Sequence, residues 1–118
     1  MKQFMAVFTG SDSGPAAEKW KALSESQRQE RVTAGKTAWM NWVGKNERAI
    51  VFQGSPLGKT KLVNPTGIVD IKNQMAAFTV VKAESHEEAA KMFLNHPHFT
   101  IFPGDAVEVM ECLPIPGT

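Results

Sequence analysis

The chain has 118 residues, with 13 Lys and Arg against 12 Asp and Glu, so its formal net charge at pH 7 is +1. This length fits one domain, residues 1–118, with a single core of modest size. Because acids and bases are nearly balanced and interspersed, the charge offers no field to attract nucleic acid or an anionic membrane surface.

The cysteine count and the apolar segments limit the possible cellular locations of the protein. The apolar stretches have the length of strands, and the N-terminus lacks a secretory signal, so we expect a protein that neither spans a membrane nor is exported. Cys112 is the single cysteine, which excludes an internal disulfide and favours a reducing, cytoplasmic location. Its apolar surroundings predict a buried and inert thiol.

The first predicted strand covers Lys2 to Thr9, because apolar residues occupy both alternating sets of positions. Such a strand belongs in the middle of a sheet, or it has helices on one face and a second subunit on the other. The glycines of residues 10–14 then break the strand, and Pro15 fits the first turn of a helix. That loop has neither a GK[ST] nor a GxGxxG motif, so an ordinary turn is favoured over a phosphate site and no cofactor is predicted.

A long helical segment is predicted from Pro15 to Lys45. It is expected to break near Ser24, which begins a possible capping box of the form S-x-x-Q. Trp39 and Trp42 lie three residues apart and can face one side of the helix, either as core or subunit interface or as the wall of a ligand site. Gly35 lies one turn before Trp39 and is expected to make room for it.

The middle of the chain is predicted to be β-structure. A short strand at Ala49 to Phe52 is followed by a loop at Gln53 to Gly58, whose two glycines and proline permit a close backbone approach and the lining of a cleft. Lys61 to Ile71 is predicted to form a protruding hairpin with its turn at Asn64 to Gly67. A hairpin of this kind can reach across a dimer.

The last part of the chain is predicted to form a strand, a helix and a strand. The first strand covers Phe78 to Ala83, the helix begins at a capping box on Ser85 and ends at Pro97, and the final strand covers Ala106 to Cys112. The whole order predicts an α+β protein of ferredoxin-like type, with an antiparallel sheet and helices on one face. The uncovered face then predicts a homodimer formed sheet to sheet.

Several segments also resemble the YCII-related family and its DGPF-type branch: Trp39–Trp42, Gly54–Val63, Phe78–Ala83, His96–Phe99 and Ala106–Val109. The similarity covers most of the chain from Gly35 onward and lies in the overall pattern. It implies a dimeric α-β-barrel fold, small bacterial proteins mostly of unknown activity and, for some members, a catalytic His and Asp pair. Some relatives are encoded beside, or fused to, alternative sigma factors, which implies a role in transcriptional regulation.

The family's catalytic pair transfers only in part. The position of its His falls near Thr37 or Ala38, neither of which is a base, and the position of its Asp is taken by His96. A carboxylate beside an imidazole fixes the tautomer and stabilises the cation, so the loss of one partner removes that mechanism from these positions.

The candidate catalytic residues that remain are His96, His98 and Asp105. Two histidines separated by a proline can face one cleft, and Asp105 begins the strand that returns beside them; Asp70 and Asp12 are alternative carboxylates. Two histidines and one acid make a poor metal site, so no metal is predicted.

Two functions remain open from the sequence. The first is a small-molecule enzyme or binding protein, with an apolar cleft of a homodimer lined by Trp39, Phe52 and Ser55, and with His96 or His98 as the acid-base group. The second is a non-catalytic dimeric module that binds a partner protein, in transcriptional regulation.

Overall fold

The computed structural model describes residues 1–117. The elements in chain order are β1 (Lys2–Thr9), α1 (Pro15–Ala22), α2 (Glu25–Lys45), a 3-10 turn (Glu47–Ala49), β2 (Ile50–Pro56), β3 (Thr60–Asn64), β4 (Gly67–Ile71), β5 (Met75–Ala83), α3 (His86–Lys91), α4 (Pro97–Thr100) and β6 (Ala106–Glu111).

Four strands form the main sheet, in the order β2-β5-β1-β6, and every neighbouring pair is antiparallel. Helices α1 and α2 connect β1 to β2, and α3 and α4 connect β5 to β6. The predicted α+β class with an antiparallel sheet is confirmed, and the strand order is compatible with the ferredoxin-like arrangement.

The core lies between this sheet and the helices. Phe4, Ala6 and Phe8 alternate along β1, and their side chains are buried together with Val81 of β5 and Phe93. Burying these apolar side chains is the main stabilising contribution to the fold, at about 1.5 to 3 kcal/mol for each large one. This packing therefore depends on the alternation of apolar side chains along β1 and on the helices that cover one of its faces.

The predicted break near Ser24 is confirmed, and α2 begins with a complete capping box. The Ser24 hydroxyl accepts a hydrogen bond from the Gln27 N–H at 3.1 Å, and the Gln27 side-chain oxygen accepts one from the Ser24 N–H at 2.9 Å. At α3 the Ser85 hydroxyl accepts from the Glu88 N–H at 3.1 Å. Both serines therefore satisfy a backbone donor that the helix itself cannot satisfy.

The prediction of one helix ending at Pro97 is wrong. Helix α3 ends at Lys91, and Asn95 has a positive φ of 58°, a conformation that asparagine tolerates better than most residues. Pro97 then begins the short helix α4 at its first position, where a missing N–H is harmless, and His96 is the N-cap. The proline thus starts a helix rather than only ending one.

Strand β2 is longer than predicted and includes most of the segment predicted to be a loop. The strand has a bulge at Gly54, which has a φ of 72°; a Cβ there would overlap the backbone carbonyl of Phe78. Only glycine combines this conformation with this approach. The close approach predicted for Gly54 is therefore made to the neighbouring strand.

The predicted hairpin is present and projects from the rest of the chain. Strands β3 and β4 pair from Thr60 with Ile71 to Asn64 with Gly67 and form a separate two-stranded sheet. The radius of gyration is 16.2 Å, against roughly 13 to 14 Å for a compact chain of this length. The apolar side chains of Val63 and Ile68 on this hairpin are exposed.

The sheet face opposite the helices also exposes apolar side chains. Met5, Phe52 and Met110 lie on this outer face and are 37%, 59% and 43% exposed, respectively.

Cys112 is exposed as well, so the prediction of a buried thiol is wrong: β6 ends at Glu111, one residue before the cysteine. No helix within residues 1–117 has the length and apolarity needed to cross a membrane.

Candidate functional site

A cavity of about 560 Å³ lies between α2 and the β2 and β5 side of the sheet. Its wall is mainly aromatic and aliphatic, with contributions from Phe8, Trp39, Trp42, Val43, Ile50 and Phe102. A small number of polar side chains interrupt the apolar wall: Lys36, Gln53, Ser55, Thr79 and His98. This size and this mixture of surfaces are typical of small-molecule sites.

His98 belongs to this wall and has a fixed orientation. Its side chain is almost fully buried, and its Nε2 lies 2.8 Å from the backbone oxygen of Thr9. Because a carbonyl oxygen can only accept, the imidazole donates from Nε2, and in the neutral ring Nδ1 carries the free lone pair. The rings of Phe8 and Trp39 lie 5.2 Å and 6.2 Å from the His98 ring, centre to centre.

The loop after α4 holds the His98 ring in place. A Cβ at Gly104 would overlap the imidazole at Nε2, and the Gly104 N–H donates to the His98 carbonyl oxygen at 2.9 Å. The Asp105 N–H donates to the same Thr9 oxygen that His98 contacts, also at 2.9 Å. One carbonyl of β1 therefore fixes both the ring and the start of β6.

Asp105 lies close to His98 but does not replace the missing carboxylate of a catalytic pair. Burial lowers the pKa of His98, and the hydrogen bond to Thr9 and the charge of Asp105 raise it without reversing the shift. Within residues 1–117 the Asp105 side chain is exposed and makes no hydrogen bond to the imidazole. The Thr9 carbonyl is thus the group that sets the tautomer of His98.

The two alternative carboxylates, Asp70 and Asp12, form no hydrogen bond to His96 or His98 within residues 1–117. Asp70 is on the hairpin and pairs with Lys61 at 2.7 Å between Oδ1 and Nζ. Asp12 lies in the exposed loop after β1, where its backbone oxygen accepts from Lys21 at 2.8 Å. Neither aspartate is bonded to an imidazole in the part of the chain that the structure describes.

His96 has a different environment from His98. Its side chain is fully buried, its Nδ1 accepts the His98 N–H at 3.0 Å, and its Nε2 has no hydrogen-bond partner within residues 1–117. The rings of Trp39 and Trp42 lie 4.6 Å and 4.8 Å away, centre to centre. Burial, with a smaller effect of His98, lowers the pKa of His96 to about 4, so this ring is neutral at pH 7.

The three residues predicted to bind a ligand divide between the two faces of the sheet. Trp39 and Ser55 lie on the cavity wall. Phe52 does not, because it opposes Val80 on the outer face, where its ring lies 5.8 Å from that of Phe78. A position directly before a bulge could not be assigned to a face from the alternation of the sequence.

Gly35 makes room for a different ring from the one predicted. A Cβ at Gly35 would lie 2.5 Å from Cε2 and Cζ of Phe102, not against Trp39. Phe102 belongs to the cavity wall, and sequence reasoning missed it along with Thr9 and Lys36. Of these three residues only Lys36 had a signal in the sequence, its position three residues before Trp39 on α2.

The described residues, 1–117, contain no cluster of three or more His, Cys, Asp or Glu side chains that could hold a metal ion. The polar groups of the site are thus imidazole, amide, hydroxyl and ammonium groups. These groups suit the binding of an organic molecule and the transfer of a proton.

Fold and site together define an α+β protein whose antiparallel sheet is compatible with a ferredoxin-like fold, with a cavity walled by aromatic rings and a histidine. No family model matches the sequence, and neither does any curated protein. One solved structure with a similar fold is TftG, the 5-chloro-2-hydroxyhydroquinone dehydrochlorinase of Burkholderia phenoliruptrix AC1100, in complex with 2,5-dihydroxybenzoquinone. The similarity has a TM-score of 0.53 and covers 91% of this chain and 89% of that chain, at 17% sequence identity, so it shows a shared fold.

Proposed function

We propose that this protein binds a small, flat ring molecule in the cavity between α2 and the sheet, and that His98 transfers a proton to or from it. The observation that supports this most directly is a neutral imidazole in the wall of an apolar cavity, with its tautomer fixed by the Thr9 carbonyl. A neutral imidazole that is held in one orientation and has a free ring nitrogen is suited to general acid-base catalysis.

His98 is the better of the two candidate bases. Because Nε2 is held by Thr9, the basic nitrogen of His98 is Nδ1, which has no hydrogen bond within residues 1–117. In His96 the corresponding lone pair already accepts the His98 N–H, and the ring is fully buried away from the cavity wall. We therefore assign proton transfer to His98, and His96 positions it by accepting the His98 N–H.

The relation to known enzymes supports a small-molecule function in general terms. TftG, with a similar fold, acts on a chlorinated hydroxyhydroquinone and was solved with 2,5-dihydroxybenzoquinone. We infer that this chain belongs to the YCII-related family, consistent with that fold and with the resemblance of its segments. The identity of 17% does not carry a substrate across, but a single six-membered ring is small enough for a cavity of about 560 Å³.

The assembly that we propose is a cytoplasmic homodimer of one-domain subunits. The outer sheet face presents Met5, Phe52 and Met110 to solvent in the isolated chain, and a second copy would cover them. Because β2 forms both an edge of this sheet and part of the cavity wall, such an assembly would place the cavity near the subunit boundary.

A second candidate function is a non-catalytic module that binds a partner protein, in transcriptional regulation. The observation that favours it is the projecting hairpin, on which Val63 and Ile68 are exposed and both strands lie outside the main sheet. On this alternative the cavity would be without a ligand and the hairpin or the outer face would be the functional surface.

Calorimetric titration with 2,5-dihydroxybenzoquinone distinguishes the two. The titration should use a Cys112→Ser background, because an exposed thiol can add to a quinone. We expect saturable binding to that protein and an affinity about tenfold lower after His98→Gln, which removes the imidazole from the cavity wall. Circular dichroism should show that both proteins are folded.

His86→Gln is the matched control. His86 is exposed at the start of α3 and contacts Val109 and Phe4, not the cavity. Its substitution should leave the affinity unchanged. Binding that is absent from the parent, or that is equally strong with and without the His98 imidazole, would contradict the proposed function and favour the partner-binding module.

A further inference from the structure

One side of α2 forms a continuous part of the cavity wall. Lys36, Trp39, Met40 and Val43 follow the spacing that places side chains on a single helix face, and all four line the cavity. Lys36 lies at one end of this row, one helical turn from Trp39. Lys36 is exposed, and it places a cation at the end of an otherwise apolar row.

The charge of Lys36 is not neutralised by the protein. Ion pairs within residues 1–117 join Lys2 to Glu111, Lys21 to Glu18 and Lys61 to Asp70, and Lys36 takes part in none. The cavity wall contains no aspartate or glutamate. With His98 neutral, Lys36 therefore gives the cavity a net positive charge.

Hydrogen-bonding groups accompany this charge on the β2 side of the wall. Gln53 and Ser55 both line the cavity and are exposed residues, and within residues 1–117 neither side chain forms a hydrogen bond to another residue. An amide and a hydroxyl can both donate to an oxygen anion. Donors of these two kinds, like the Lys36 ammonium group, are complementary to an acidic group on a ligand.

An apolar wall strengthens the preference for an anion. Lys36 is an exposed residue, so its ion pair with a ligand is strengthened only on the side where the aromatic rings and the bound ligand exclude water and lower the effective dielectric constant. A neutral ligand would occupy the aromatic part of the cavity but gain nothing from Lys36. We therefore expect the charge of Lys36 to favour an anionic ligand over a neutral ligand of the same size.

We propose that the ligand of this cavity is an anion: a flat ring system bearing one acidic group, a carboxylate or an ionised phenol or enol. The ring packs against Trp39 beside His98, and the acidic group pairs with the Lys36 ammonium. This inference rests on the proposed small-molecule function and narrows its ligand class.

Two probes that differ in charge but hardly in shape test it. Binding of 2-naphthoate, an anion, and of 2-naphthamide, its neutral counterpart, is measured by calorimetry. We expect the parent protein to bind the anion about tenfold more tightly, as a charge-assisted hydrogen bond provides. Lys36→Gln should abolish this preference, and Lys36→Glu should reverse it.

Lys45→Gln is the control, because Lys45 is an exposed lysine on the same helix that does not line the cavity. It should keep the tenfold preference. Raising the salt concentration should weaken the binding of 2-naphthoate and not that of 2-naphthamide, since salt screens the ion pair.

The outcomes separate this inference from the function on which it rests. If both probes bind the parent equally well, or if Lys36→Gln leaves the preference intact, the anion site is overturned and the cavity remains a small-molecule site. If neither probe binds and 2,5-dihydroxybenzoquinone does not bind either, the proposed function itself fails.

Discussion

His96 and His98 lie two residues apart, on either side of Pro97, and they occupy opposite chemical environments. The His96 ring is enclosed by Trp39 and Trp42 and has one nitrogen without a partner in the described chain. The His98 ring reaches the cavity wall and donates to the Thr9 carbonyl. One ring is part of the packing, and the other is a chemical group presented to a cavity.

The difference teaches that the role of an imidazole depends on what each of its nitrogens meets. His96 uses its lone pair to cap α4 at His98, so it sets the position of the next histidine and has no basic nitrogen left. His98 uses its N–H to bind β1, so its lone pair stays available. We therefore propose a positioning role for His96 and proton transfer for His98.

Removing the His96 ring should have the largest effect on stability. His96→Ala deletes a fully buried ring and leaves the His98 N–H without its acceptor. We expect the free energy of unfolding to fall by about 3 to 4 kcal/mol, as for the loss of other buried rings. Chemical denaturation measures it.

The control for the cap is His96→Asn, whose side-chain oxygen can still accept the His98 N–H. It should recover about 1 kcal/mol relative to alanine, the usual contribution of an N-cap. A loss of less than about 1 kcal/mol for His96→Ala would mean that the ring is not a packing element.

Acid should destabilise the protein through the same ring. Because the pKa of His96 is lowered to about 4, the unfolded state binds a proton between pH 6.5 and 4 that the folded state does not, so stability falls as the pH falls through this window. This ring alone should cost about 2 kcal/mol between pH 7 and pH 5. The lowered pKa of His98 acts in the same direction.

Denaturation curves at pH 7 and pH 5 check this, with His96→Asn as reference. The variant should lose most of the pH dependence that the parent shows between these two values. An equal loss of stability in both proteins would place the titrating group elsewhere.

Gly104→Ala tests the fixed orientation of His98. The added methyl group would overlap the imidazole, so the ring must leave the Thr9 oxygen. We expect a loss of about 1 to 2 kcal/mol in stability from the broken hydrogen bond and the crowding. In nitrogen-15 NMR of the imidazole, the preference for the Nε2–H tautomer should weaken.

Gly58→Ala is the matched control, because no heavy atom lies within 4 Å of the Cβ it would add. It should change neither stability nor the imidazole spectrum. An unchanged His98 tautomer in Gly104→Ala would show that Thr9 is not what holds it.

The smallest effect is expected at Gly35, within α2. Alanine gains about 1 kcal/mol over glycine in a helix, but here its methyl group must displace Phe102, so the net change in stability should be below about 1 kcal/mol. Gly44→Ala, in the same helix with open space around it, should be stabilising by about 1 kcal/mol. The difference between the two variants in free energy of unfolding, measured by denaturation, gives the energetic cost of displacing Phe102.

Local signals predicted much of the fold. The alternation in β1, the S-x-x-Q box at Ser24 and the turn of the hairpin are each determined by residues close in sequence, and each prediction is confirmed. The end of the second helical region was predicted wrongly because a proline can end a helix or begin one. The choice depended on whether His96 could cap, which its position alone did not indicate.

The site was less predictable, because its decisive contacts join distant parts of the chain. His98 and Asp105 were recognisable as candidates, but the partner of the imidazole is a backbone oxygen 89 residues away, at Thr9. A backbone group has no signature in the sequence. Phe52 was predicted to line the cavity but lies on the outer face, directly before the bulge at Gly54 that disrupts the alternation of β2.

The most direct test of the account is the imidazole nitrogen-15 spectrum of the Cys112→Ser protein at pH 7, recorded before and after addition of 2,5-dihydroxybenzoquinone. Of the three histidines in the spectrum, the account predicts that His96 and His98 are neutral with the proton on Nε2. It also predicts that the quinone causes a change at Nδ1 of His98 that is much larger than any at His96. A His98 that carries its proton on Nδ1, or that does not respond while the quinone binds, would contradict it.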